Sequence, residues 1–162
     1  MPPTMYSVDT SSFMDWQARH YPPDVFVSLE RRIEALIGEG RFRAVDLVAE
    51  EIGSVGTPDL QAWAKRHKGI FLPLTAEVQI EAVAIEAKYP DLLDPKLPYQ
   101  SADAYVIALA KLSENGIVVS QETSASEKRN PRKNHFVPDV CRDLGVPCIN
   151  LLGLMRREKW TI

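Results

Sequence analysis

The chain has 162 residues, a hydrophobic share of 45%, a charged share of 25% and a net charge of −3. That length suits one domain spanning residues 1–162 that buries about two-thirds or more of the surface its unfolded chain exposes. No apolar run approaches the ~20 residues of a membrane span, and 19 basic against 22 acidic residues argues against a surface built for nonspecific DNA binding. A local basic patch remains compatible with that balance. Met1-Pro2-Pro3-Thr4 shows neither a basic n-region nor an apolar h-region, so a cytoplasmic protein is expected. Cys141 and Cys148, with six residues between them, match no zinc spacing and read as reduced, packing cysteines.

Met5 to Val8 reads as a first strand, followed by Asp9-Thr10-Ser11, whose side chains suit a helix cap. Tyr21-Pro22-Pro23-Asp24 is a break, with Asp24 as the expected cap of the next helix. Val25, Leu29, Ile33, Leu36 and Ile37 form one stripe of a helix that Gly38 and Gly40 close. An extended piece over Arg41–Val45 leads to a helix near Leu47–Ser54, and Leu60–Lys68 is a further helix carrying Trp63. Ile70–Leu74 reads as a strand and Thr75–Lys88 as a helix. The proline-rich loop from Pro90 to Pro98 leads to Ser101, the expected N-cap of a helix over Ala102–Asn115 that Gly116 ends. Ile117–Val119 is a strand, Ser120–Asn134 a polar, basic stretch, Pro138–Leu144 a helix, Val146–Asn150 a strand, and Leu151–Lys159 a last helix. Strands alternating with helices predict an α/β fold: a mainly parallel sheet covered on both faces, with ligands bound at the carboxyl ends of its strands.

Four acidic residues stand where such a site would fall: Asp9, Glu51, Asp103 and Glu122. Asp9 and Glu122 follow apolar runs at strand ends. Asp103 shares a helical stripe with Val106, Ile107 and Ala110, so it faces inward; a first-turn Asp that stabilises the helix dipole behind a Ser101 cap is the plain alternative. Glu51 shares its stripe with Leu47, Val48 and Val55, whereas Glu50 lies with Asp46 and Ser54; Glu51 is preferred, with Glu50 as its substitute. Asp9 alone also fits a turn or cap, and Glu122 alone a solvated loop. Asp139 after Pro138 reads as a helix cap. Inward carboxylates are costly unless paired or bound to a cation. Mg²⁺ or Mn²⁺ suits such a set, because both take oxygen ligands and retain waters that a phosphate can complete.

Other chemistries fit less well. His20, His67 and His135 form no triad or zinc spacing, Thr10 and Ser11 have no evident base, and Gly38-Glu39-Gly40 does not continue as a phosphate loop. The segment Lys128-Arg129-Asn130-Pro131-Arg132-Lys133-Asn134-His135 places four Lys or Arg in eight residues. It reads either as a solvated loop or as a phosphate clamp near Glu122, with Lys128, Arg129, Arg132 and Lys133 as contacts and Thr10 and Ser11 as further ones.

In this order the motifs resemble the PIN-like domain family of metal-dependent ribonucleases, in particular the toxins of bacterial toxin–antitoxin pairs. Tyr6-Ser7-Val8-Asp9-Thr10-Ser11-Ser12-Phe13 is similar to the first acidic motif, Val48-Ala49-Glu50-Glu51-Ile52 to the second, and Ala102-Asp103-Ala104-Tyr105-Val106-Ile107-Ala108-Leu109-Ala110 to the third. Ile117-Val118-Val119-Ser120-Gln121-Glu122 resembles the fourth, which more often has Thr and Asp where Ser120 and Glu122 stand. The resemblance spans nearly the whole chain. It implies a three-layer α/β/α sandwich and a Mg²⁺- or Mn²⁺-dependent endoribonuclease that leaves a 5′-phosphate and a 3′-hydroxyl, with Asp9, Glu51, Asp103 and Glu122 as metal ligands. The implied partners are RNA, a cognate antitoxin protein and a second copy in a homodimer; no membrane is implied. Trp16, Phe26, Leu154 and Trp160 are candidate interface residues. The rival readings are a PIN-like binding module without catalysis and a metal-dependent DNA nuclease or phosphatase.

Overall fold

A computed structural model describes residues 2–162. β1 (Met5–Val8) ends at Asp9, which caps the short α1 (Thr10–Met14). A π-helical turn, Asp15–Arg19, continues it and sinks Trp16 into the core. α2 (Val27–Gly38) leads to β2 (Phe42–Val45), followed directly by α3 (Asp46–Val55) and α4 (Pro58–Arg66). β3 (Phe71–Leu72), α5 (Ala76–Lys88), α6 (Asp103–Leu112) and β4 (Gly116–Val119) come next. α7 (Val137–Leu144), β5 (Cys148–Ile149) and α8 (Leu151–Arg157) complete the order.

The five strands are all parallel, in the order β3-β2-β1-β4-β5. Right-handed crossovers then require the β1–β2 and β2–β3 connections on one face and the returning β3–β4 connection on the other. α6 crosses back over β1, β2 and β4, with α5 and α7 packed beside it. Ser7 points to this face and ties β1 to α6 through a 2.8 Å hydrogen bond to the Val106 carbonyl. Tyr6 points the other way, toward α8, where its hydroxyl meets Glu158. The result is the expected α/β/α sandwich. β4 is buried at every residue, which is why it reads as an unbroken apolar run and not as an alternating one.

Aromatic packing fixes the start of α1. Phe13, fully buried, meets Phe42 edge-on and Trp63 at 5.8 Å between ring centroids, while Trp16 meets Trp63 at 4.8 Å. Asp9 is thereby held between an anchored strand and an anchored helix.

Several sequence expectations need correction. α2 starts at Val27 behind Phe26, so Asp24 caps nothing there. α6 stops at Leu112, and Gly116 opens β4 instead of closing the helix. The glycine is required because a Cβ there would lie 2.2 Å from the Ala110 carbonyl oxygen. Trp16 and Leu154 are core residues, each 1% exposed, and cannot serve an interface; Phe26 and Trp160 are half-buried against the same core. Cys141 and Cys148 are free thiols. Among the described residues no helix is long and apolar enough to cross a membrane.

Candidate functional site

Parallel pairing aligns the strand ends that begin the site. Val8 is in register with Val119, so Asp9 and Ser120 emerge side by side, and the Asp9 N–H donates to the Val119 carbonyl at 3.0 Å. Asp9 Oδ1 accepts from Ser11 Oγ (2.7 Å), Ser12 N (3.1 Å) and Ser12 Oγ (3.1 Å); Oδ2 accepts from Ser120 Oγ at 2.6 Å. Ser11 is also fixed from the β4 side, where its Oγ accepts the Gln121 N–H.

Glu51 arrives from α3. Its Oε1 accepts the Ala102 N–H at 2.8 Å and so closes the N-terminus of α6, the role expected of Ser101. Ser101 keeps a weaker part, accepting the Asp103 N–H at 3.3 Å. Glu50 is exposed, so the stripe argument separates the two glutamates correctly. Asp103 lies in the first turn of α6, and among the described residues its carboxylate accepts no hydrogen bond from protein. Glu122 follows β4; its Oε2 accepts the Val137 N–H at 3.1 Å, the first residue of α7. Asp9, Glu51 and Glu122 each close a helix N-terminus, where the unpaired N–H groups and the helix dipole favour negative charge.

All four acids line one cavity of about 180 Å³ at the carboxyl edge of the sheet, together with Thr10, Ser11, Ser101, Arg132 and Lys133. Leu92, Asp94, Leu97 and Tyr99 complete the wall. Leu92, Asp94 and Leu97 come from the proline-rich loop, which reads from sequence as a connection, and Tyr99 directly follows it. The signal available was its position: a long loop leading directly into the helix that carries Asp103. The basic stretch divides. Arg132 and Lys133 reach the pocket, whereas Lys128 and Arg129 do not line it. Lys128 sits 4.4 Å from the Phe136 ring centroid and donates to Thr123 Oγ1, and Arg129 faces solvent. Phe136 itself is buried, so Tyr99 is the aromatic ring at the pocket. Asp139 acts as a cap, accepting the Phe136 N–H at 2.9 Å and the Ala125 N–H at 3.0 Å.

The electrostatics follow from burial with little cationic compensation. Asp9 is 3% exposed and Glu51 7% exposed. Burial raises the Asp9 carboxyl to about 6, with Glu122 adding to the rise and the Ser120 hydroxyl opposing it. Burial likewise raises Glu51 to about 7, against the Ala102 N–H and with help from Asp9. The Thr10 hydroxyl also favours ionised Glu51, yet Thr10 Oγ1 is buried without a hydrogen bond of ordinary geometry. Asp103 is pushed well above the usual carboxyl range by burial and by the charges of Glu122, Asp9 and Glu51, while Lys133 pulls it down. Among the described residues, no three His, Cys, Asp or Glu side chains converge closely enough to form a ready-made metal cage.

Fold and site together define a parallel α/β protein with a carboxylate-lined pocket at the carboxyl edge of its sheet, the position where open α/β folds bind ligands. Residues 6–162 match the family described as Domain of unknown function (DUF4411), and the chain belongs to that family. No curated protein matches the chain.

Proposed function

We propose that this protein is a Mg²⁺- or Mn²⁺-dependent endoribonuclease whose working residues are Asp9, Glu51, Asp103 and Glu122. The observation that carries the reading is the gathering of these acids, from four separate segments, around one small cavity in which the carboxyl groups of Asp9, Glu51 and Asp103 are raised by burial and by one another's charge. Donor chemistry supports a hard cation: every polar side-chain group here other than Arg132 and Lys133 is a carboxylate or hydroxyl. The residues fit Mg²⁺ in particular, which keeps several waters and takes only one or two carboxylates, so a closed protein cage is not needed. Asp103 and the second oxygens of Glu51 and Glu122 are left for that role by the hydrogen bonding. When bound, such an ion would polarise a phosphodiester and supply a nucleophilic water at neutral pH.

The chain's own groups have separable tasks in this reading. Arg132 and Lys133 bind the phosphate and offset its charge beside the acids. Thr10 stands at the wall with its hydroxyl toward Glu51, and Ser11, Ser12 and Ser120 orient Asp9. Leu92 and Leu97 give the cavity an apolar wall, and Tyr99 offers a face for a base. The resemblance to PIN-like toxins extends the proposal to biology: a cytoplasmic toxin held in check by an antitoxin that occupies this pocket, acting as a homodimer.

A second reading, a binding module without catalysis, draws on the hydrogen bonds that engage both oxygens of Asp9. One assay separates these readings from a DNA nuclease or phosphatase. Purified protein is offered RNA, single-stranded DNA and a phosphomonoester side by side, with Mn²⁺ and with EDTA. Cutting of RNA alone, and only with Mn²⁺, is expected; equal cutting in EDTA would falsify the mechanism.

A further inference from the structure

A second cavity, of about 310 Å³, lies against the acidic pocket. Asp94, Arg132 and Lys133 line both, so the two share a wall, while Lys96 lines only the second. The cations come from two loops distant in sequence, and Asp91 joins them. Its Oδ2 accepts the N–H groups of Asn134 (3.0 Å) and His135 (3.1 Å), and its Oδ1 lies 2.8 Å from His135 Nδ1. Lys133 Nζ adds a 3.4 Å bond to the Leu92 carbonyl. Asp94 is turned to its own loop, accepting the Lys96 N–H at 3.0 Å. Asp91 therefore holds backbone and the His135 ring, and Asp94 holds backbone. Among the described residues Lys96, Arg132 and Lys133 make no ion pair with any acid. Three cations thus face one hollow with two carboxylates, Asp91 and Asp94, and none of the three is paired with either.

We propose that this second cavity seats the RNA phosphate next to the one held in the acidic pocket. The seat presupposes the ribonuclease reading above and adds to it a direction for the strand: out of the acids, past Arg132 and Lys133, toward Lys96. A phosphodiester chain carries one charge per nucleotide, so a neighbouring anion arrives at the shared wall whenever the first pocket is filled. Asp91 is then a positioning residue, fastening the basic loop to the proline-rich loop so that the cations face the hollow.

The test measures binding of a fluorescein-labelled six-nucleotide oligouridylate to the full chain in Ca²⁺ over a series of salt concentrations. Lys96→Ala should raise Kd about fivefold and lower the magnitude of the slope of log affinity against log salt by about 0.7, the effect of one lost phosphate contact on a single strand. Lys96→Arg should restore both, and Lys65→Ala, in the separate hollow between α3 and α4, should change neither. Wild-type binding with an unchanged slope in Lys96→Ala, whether or not affinity falls, overturns the seat and leaves the ribonuclease reading standing. Absence of oligouridylate binding by the wild-type chain overturns both.

Discussion

Buried or partly buried carboxylates sit near both edges of the central sheet, and their surroundings treat them in opposite ways. At the amino edge Glu158 meets a cation: Arg41 reaches it with two N–H donors, at 3.0 and 2.5 Å, and the Tyr6 hydroxyl adds a third bond of 2.5 Å. Burial would raise the Glu158 carboxyl, but these donors outweigh it and hold it below its usual range. At the carboxyl edge, Asp9 and Glu51 meet hydroxyls, backbone N–H groups and one another, and both are raised. A fold that pairs the partly buried Glu158 so fully leaves the more deeply buried acids short of cations. The difference marks the amino edge as a fastening of the C-terminal segment and sets the carboxyl edge apart as the site of the proposed cation.

The largest effect expected from breaking this contrast is on activity. Asp103→Asn keeps the shape of the side chain and removes its charge, and RNA cleavage should fall at least about a hundredfold. In EDTA the same variant should melt higher than the wild type, because a repulsive charge is gone. Thermal unfolding beside the cleavage assay reads both. A variant that loses activity and stability together would point to a structural role for Asp103.

Next in size is the dependence on pH. Asp9 and Glu51 have folded pKa values of about 6 and about 7, above their unfolded values. The folded form therefore holds more protons than the unfolded form between about pH 4 and pH 7, and metal-free stability falls as pH rises through that window. Each group contributes on the order of 2–3 kcal/mol. Urea midpoints should show this fall for the wild type, a smaller one for Asp9→Asn or Glu51→Gln, and little of it with Mn²⁺ present. Glu158 works in the opposite sense: its depressed pKa gives stability that is present above its unfolded pKa and is lost as pH falls below it.

Arg41→Ala is the smallest of the three. Leaving Glu158 without its guanidinium should lower stability by about 2 kcal/mol, read from the urea midpoint, without changing the metal dependence of cleavage at a temperature where the variant is folded. A change in that metal dependence would mean that the two edges are coupled.

The carboxyl edge was largely legible from sequence, because strand-end acids and helical stripes are local patterns. Val8 before Asp9 and Val119 before Ser120 declare their strands, and the spacing of Asp103 with Val106 and Ile107 declares its face. What stayed hidden depends on contacts between distant segments. Glu51, not Ser101, closes α6, since the bond to the Ala102 N–H crosses from α3. Arg132 and Lys133 reach the pocket beside the Asp91 clasp, whereas Lys128 turns to Thr123 and Arg129 to solvent, contacts that no local pattern records. Asp94 and Tyr99 enter the pocket because the proline-rich loop folds over it, which no periodicity records. The amino edge was missed altogether: Arg41 and Glu158 are 117 positions apart, and neither stands in a motif.

The central claim is that the raised acids form a seat for a divalent cation. Electron paramagnetic resonance of free Mn²⁺ during titration of the protein tests this most directly, since binding removes the signal of the hydrated ion. Saturable uptake by the wild type, lost in the Asp9→Asn/Asp103→Asn double variant while its fold is retained, is the outcome this account requires. Equal uptake by the two proteins, or none by the wild type, contradicts it.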